Sequence, residues 1–171
     1  MKLKSITYIS VMSVIIAICA WLTVPYTIPF TMQTFGVFFA LLFLGGKRGT
    51  AAIALYLLLG ALGLPVFSGF SGGLGHIFGA TGGYMLGFLL TGVAYWVTEH
   101  LFGKSLKVSV QSLIFGLLLC YLFGTVWFSI YTDGMSFLSA ALVCVVPFIV
   151  PDLTKLALAV IIANRIKQAS I

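Results

Sequence analysis

The chain is 171 residues long, 61% hydrophobic and 7% charged, with a mean hydropathy of +1.21 and a formal net charge of +6. A soluble domain carries about a quarter charged residues, so this composition excludes a soluble fold and marks an integral membrane protein. The excess of cations calls for no nucleic acid, because basic residues gather on the cytoplasmic side of membrane proteins and attract anionic lipid.

Runs of roughly 20 apolar residues cross a bilayer as helix. Six such runs follow one another: about Ser5 to Val24, Phe30 to Gly46, Thr50 to Leu64, Gly82 to Leu101, Val108 to Tyr131 and Phe137 to Ala163. They predict an all-α membrane protein, a compact bundle of six transmembrane helices in which residues 1–171 form a single domain. The first run is too long for a signal peptide, lacks a small-residue cleavage site and is closely followed by further spans, so it reads as the first span. With the amino terminus inside, Lys2, Lys4, Lys47, Arg48, Lys104, Lys107, Arg165 and Lys167 all fall on the cytoplasmic side. That is eight of the nine cations, and it places both termini in the cytoplasm. The ninth is Lys155.

In the first span, Ser13 and Ala17 stand four residues apart, a spacing that suits close contact with a neighbouring span or with a partner protein; packing within the chain is the preferred reading. After the third span, the segment from Gly63 to Gly83 holds eight of the nineteen glycines and cannot be an ordinary helix throughout. Its Phe67, Phe70 and Phe78, set among glycines, have the makings of a cap or wall for an apolar pocket, with the loop dipping toward the bundle. Gly79, Gly83, Gly87 and Thr91 then form a small-residue ladder into the fourth span, where two helices can pack closely.

Several look-alikes fail on context. Gly69-Phe-Ser71-Gly-Gly73 matches the nucleophile-elbow pattern, but an elbow needs a strand before it; an intramembrane dyad would want a histidine on the sixth span, which has none. Gly103-Lys104-Ser105 resembles the end of a phosphate-binding loop, but its first glycine would have to stand at Thr98. Cys19, Cys120 and Cys144 show no pairing or ligand spacing and read as packing residues. His76 and His100 lack partners at ligand spacing apart from Glu99, so no bound metal is expected.

The sixth span carries the chain's most informative pair. Asp152 and Lys155 lie one helical turn apart with no other charge between Asp133 and Arg165, and a membrane interior tolerates charge only where it is paired or used. Measured from Arg165 at 1.5 Å per residue, Lys155 lies roughly 15 Å up, near the midplane, and Asp152 roughly 20 Å up, in the outer half. Pro147 and Pro151 just before them remove backbone donors and can kink or open the helix. The geometry favours a polar-ligand site that opens outward. The structural alternative, a pair that only neutralises itself to hold the bundle, is permitted by the spacing, although an apolar pair would hold it at lower cost.

Four motifs in order carry a family resemblance: Pro29-Phe-Thr-Met-Gln33-Thr-Phe-Gly36, Gly63-Leu-Pro-Val-Phe67 with its glycine-rich sequel, Thr81-Gly-Gly-Tyr84-Met-Leu-Gly87-Phe, and Pro151-Asp152-Leu-Thr-Lys155. From about Thr27 to Lys155 the chain resembles the BioY family, the biotin-specific substrate-binding (S) components of energy-coupling factor (ECF) transporters. Where that family usually shows Pro before Thr-Gly-Gly, this chain has Ala80, which implies a looser turn into the fourth span.

The resemblance implies a protein of the bacterial-type cell membrane that is not an enzyme and binds no cofactor of its own. It would capture biotin from outside and hand it inward, joined to a transmembrane coupling (T) subunit and two ATP-binding subunits that use the ATP. In the family the S component is thought to tip within the membrane. Asp152 and Lys155 would address the ureido ring, which offers one carbonyl acceptor and two N–H donors. Phe67, Phe70 and Tyr84 would wall the rings and valeryl chain, and Gln33 would add a polar contact. The biotin carboxylate would go either to Lys155 or to hydroxyls and backbone amides of the glycine-rich loop, Gly73 included. Ser13 and Ala17 become a candidate docking face for the coupling subunit. The rival readings are an S component for another small vitamin, a stand-alone facilitator, and an intramembrane hydrolase using Ser71.

Overall fold

A computed structural model of the chain describes residues 3–24 and 30–169. Lys2 and the stretch 25–29, which includes Pro29 at the start of the first family-like motif, lie outside the described residues. Most of the described residues are helical, and one pair of two-residue strands accompanies the helices. Helix α1 spans Leu3–Trp21 and ends as β1 (Thr23–Val24), which pairs antiparallel with β2 (Phe30–Thr31) in the register Thr23↔Thr31 and Val24↔Phe30. Helices α2 (Gln33–Leu44) and α3 (Gly46–Ala61) follow, joined by Gly45 alone. An irregular stretch with a single 3-10 turn at Ser68–Phe70 leads to the short α4 (Leu74–Ile77). The chain then runs through α5 (Gly82–Phe102), α6 (Leu106–Tyr131), α7 (Phe137–Cys144) and α8 (Val146–Ala169).

Among the described residues, four helices are long and apolar enough to cross a membrane: Leu3–Trp21, Gly82–Phe102, Leu106–Tyr131 and Val146–Gln168. The second expected span is shorter than its apolar run. Helix α2 has 12 residues, about 18 Å of rise against a hydrocarbon core of about 30 Å. Phe30 and Thr31 are drawn into the strand pair instead. At its other end the chain turns at Gly45, whose φ of +80° favours glycine, and α3 starts at once. Its first amide, Gly46 N–H, is capped from across the bundle by Glu99 Oε2 at 2.7 Å.

The sixth expected span is two helices, not one. They part at Val145 (φ −120°, ψ −53°), two residues before Pro147, whose ring would clash with the carbonyl four residues back in a continuous helix. Starting α8 at Val146 puts Pro147 in the first turn, where no backbone partner is needed. Pro151 stays inside α8.

The glycine ladder of α5 packs along α6. A Cβ on Gly83 would fall 2.3 Å from Trp127 Cβ, one on Gly87 2.7 Å from Cys120 Sγ, and one on Gly116 2.6 Å from Thr91 Cγ2. Reading up α5 by fours meets α6 descending by fours, so the two backbones approach along an antiparallel seam of small residues. The turn before α5, expected to be loose at Ala80, is held on both sides of that residue: Gly82 N–H donates to Gly79 O at 3.0 Å, and Trp127 Nε1–H donates to the same carbonyl at 3.0 Å.

Ser13 and Ala17 need correction as a docking face. They are 2% and 3% exposed, on the inner face of α1 with Ile9, Met12, Ile16 and Ala20, so their spacing of four serves packing within the chain. The outer face of α1 presents Val11, Val14 and Ile18, and helices apolar on both faces are what a lipid surrounding requires.

Replacing Gly87 by Val should lower the stability of the purified protein by about 1–3 kcal/mol, since backbone as well as side chain must move to admit it. A melting temperature in detergent unchanged from wild type would contradict the close seam.

Candidate functional site

The last helix brings its two charges together in the interior. Lys155 Nζ donates to Asp152 Oδ1 at 2.8 Å, and the residues are 3% and 4% exposed. From α6, Tyr121 donates its hydroxyl to Asp152 Oδ2 at 2.7 Å. The ammonium also lies 4.2 Å from the centroid of the Phe30 ring, a cation–π distance, and Phe30 is stacked on Phe148 with ring centroids 6.1 Å apart. Both carboxylate oxygens thus have a donor, and the ammonium has a carboxylate and a ring face, which is how charge is kept tolerable away from water.

Above this floor is a cavity. Its walls come from α2 (Gln33, Thr34), the glycine-rich loop (Phe67, Ser68), α4 (His76), α5 with Thr81 just before it (Tyr84, Met85, Phe88), α6 (Leu117, Cys120, Tyr121), α7 (Cys144) and α8 (Phe148, Asp152, Lys155). Thr31 completes the lining.

The aromatic walls are fixed by their neighbours. Phe67 meets Tyr56 edge-on, with centroids 5.5 Å apart and planes at 76°. It lies so close to α3 that a Cβ on Gly60 would be 1.9 Å from its Cζ. Tyr84 occupies the space left by Gly124, where a Cβ would be 2.2 Å from its Cδ1, and its hydroxyl is 3.1 Å from Thr125 Oγ1. Gln33 Nε2–H donates to Tyr56 Oη at 2.9 Å, which turns the amide and leaves its carbonyl oxygen as an acceptor.

Asp152, Lys155, Tyr84, Gln33 and Phe67 therefore line one cavity, although they come from four parts of the chain. Phe70 and Gly73 do not. Phe70 is 65% exposed and stacks on Trp21 at 5.0 Å, while Trp21 Nε1–H donates to Pro65 O at 2.9 Å. Phe70 takes a positive φ of 55° after Gly69 at 68°, and this sharp turn sends Phe67 inward and Phe70 outward. Gly73 spends its amide on Gly60 O at 2.7 Å, tying the loop to α3. Ser71 is no nucleophile of an elbow: it follows irregular chain and its hydroxyl donates to Ser68 O at 2.7 Å.

Sequence reasoning missed Tyr121, Tyr56, Phe148 and Thr34, considered His76 only as a metal ligand, and took Cys120 and Cys144 as packing alone. One signal was available for Tyr121, since a tyrosine hydroxyl in hydrocarbon must find a polar partner. Among the described residues no group of three His, Cys, Asp or Glu is placed to hold a metal.

Comparison with known proteins gives a consistent picture. A family model described as the BioY family matches residues 1–171. A probable biotin transporter BioY of Pyrococcus horikoshii is 40% identical over 168 residues, covering 98% of each chain. The biotin transporter BioY of Thermotoga maritima is 37% identical over 162 residues, 94% of each chain. Among solved structures, the crystal structure of the S-component for biotin from an ECF-type ABC transporter matches with a TM-score of 0.86 at 28% identity, covering 98% of this chain and 92% of that one.

The ion pair makes a prediction about stability. Lys155→Met alone strands a buried carboxylate and should cost about 3–5 kcal/mol, whereas the double change with Asp152→Asn should recover most of it. Unfolding of the wild type, both single variants and the double variant in detergent would test this, and strictly additive losses would show that the two groups do not act as a pair.

Proposed function

The chain belongs to the BioY family, and on that premise we propose that it captures biotin and serves as the S component of an ECF-type transporter. It is a multi-pass membrane protein and not an enzyme. The observation that carries the proposal is the buried Asp152–Lys155 pair at the base of an aromatic-walled cavity.

A cyclic urea suits this floor. Its carbonyl accepts, its two N–H groups donate, and it carries no net charge that would unbalance the pair. Lys155 has further ammonium protons to offer the carbonyl, and the Asp152 oxygens have lone pairs beyond those used by Lys155 and Tyr121. The fused rings and the aliphatic chain would run between Phe67, Tyr84, Met85 and Phe88, and the free carbonyl of Gln33 is placed to accept from a ligand N–H.

Residues 1–171 act on this reading as one transmembrane substrate-binding unit in the cell membrane. Helices α7 and α8 together make the sixth span, and α2 and α3 make two short ones. The ends bearing Lys4, Lys47, Arg48, Lys104, Lys107, Arg165 and Lys167 face the cytoplasm, which the distribution of cations supports. A transmembrane coupling subunit and two ATP-binding subunits would supply the power, with ATP hydrolysed on the partners. Docking of the coupling subunit is not assigned to Ser13 and Ala17, whose side chains are occupied within the bundle.

Titration of biotin into the detergent-purified chain, with thiamine as control, should show tight binding of biotin alone. Asp152→Asn and Lys155→Ala should each weaken it roughly ten- to hundredfold, as expected for loss of a charge-assisted hydrogen bond. A folded wild type that ignores biotin would end the assignment, and affinity unchanged in both variants would return the pair to a structural role.

A further inference from the structure

We propose that the carboxylate of the bound ligand is held at the mouth of the cavity by His76 and Ser68, and not by Lys155 at its floor. This deepens the reading of the cavity as a biotin site and rests on it.

The floor argues against a second anion. Lys155 Nζ is already 2.8 Å from Asp152 Oδ1 and seated over Phe30 at 4.2 Å, and the remaining Asp152 oxygen is taken by Tyr121. An incoming carboxylate at Lys155 would lie within a few ångströms of Asp152, where like charges repel strongly because water does not screen them. A neutral ureido group meets no such penalty. The ligand therefore orients with its ring system inward and its charge outward.

The lining of the cavity has a matching gradient. At the floor Asp152 and Lys155 are buried, whereas His76 on α4 is exposed and Ser68 in the adjoining loop is half-buried. The two flank the same wall: Ser68 follows Phe67 in sequence, and the His76 ring lies 6.3 Å from the Phe67 ring. Most other polar side chains of the lining are engaged, Gln33 with Tyr56, Tyr84 with Thr125, Tyr121 with Asp152, and Thr31, whose Oγ1 accepts from the Gln33 backbone N–H. Neither the Ser68 hydroxyl nor the His76 imidazole makes a hydrogen bond to another described residue. Each offers a donor, since imidazole donates at least one N–H in either protonation state. Apart from Lys155, His76 is the one lining residue among those described that can carry positive charge. Two such donors at a partly wet rim can hold a carboxylate through charge-assisted hydrogen bonds while leaving it some solvation.

The test compares biotin with its uncharged methyl ester on the full-length chain in detergent, using wild type, His76→Ala, Ser68→Ala, the double variant, His76→Gln and Lys155→Ala, each checked by melting temperature. Wild type should prefer the acid. His76→Ala should weaken biotin roughly ten- to hundredfold and the ester little, the double variant should lose the preference, and His76→Gln, which keeps an N–H donor, should restore part of it. Lys155→Ala should weaken acid and ester by the same factor. Equal binding of acid and ester by wild type would overturn the proposal and leave the biotin assignment standing. So would a preference that survives the double variant but disappears in Lys155→Ala. Absence of biotin binding by folded wild type would remove the assignment itself, and the proposal with it.

Discussion

Charge in a medium without water must be matched close to atom for atom, and the interior of this protein is arranged around one such match. Asp152 and Lys155 neutralise each other on α8, but that alone leaves a carboxylate oxygen and one side of an ammonium facing hydrocarbon. Tyr121 on α6 answers the first and Phe30 on β2 the second. Three parts of the chain are thereby committed to one point, and the space between them becomes the floor of the cavity. The break at Val145 belongs to the same arrangement, because it lets α8 begin afresh, with Pro147 in its first turn, before presenting the two charges.

Long spans without interruption were legible in the sequence. The runs read as Gly82 to Leu101 and Val108 to Tyr131 appear as Gly82–Phe102 and Leu106–Tyr131, since hydropathy falls sharply at Gly103-Lys104-Ser105. Boundaries marked by conformation were harder to see. The passage from α2 to α3 turns on one glycine with positive φ, and hydropathy averaged over a window does not register a single residue. The split of the last span was signalled by two prolines, but proline is tolerated in a first turn and inside membrane helices alike, so the sequence did not say which of them would break it.

Within the site, the residues with an unusual chemical demand were the ones that could be found. Asp152 and Lys155 stand out because a bilayer penalises them, and Phe67 because aromatic residues among glycines need somewhere to go. Phe70 shared that signal but faces the other way. The choice between them is made by backbone angles at Gly69 and Phe70 and by Trp21 waiting outside, neither of which is written in periodicity. Tyr121 and Tyr56 sit in helices rich in apolar residues, and contact in three dimensions is what separates them from exposed tyrosines such as Tyr8 and Tyr131.

The close approach of Gly60 to Phe67 and of Gly124 to Tyr84 bears on what it would cost to order the walls of the cavity around a ligand. Each ring is packed closely against helix backbone before anything binds, which reduces the usual ordering cost of about 0.5–1.5 kcal/mol for an interface side chain. That saving favours the complex without adding a single contact to it. It also leaves the two rings little freedom to swing aside. Part of what the cavity would offer a ligand is thus prepared by two glycines, Gly60 and Gly124, that do not line it.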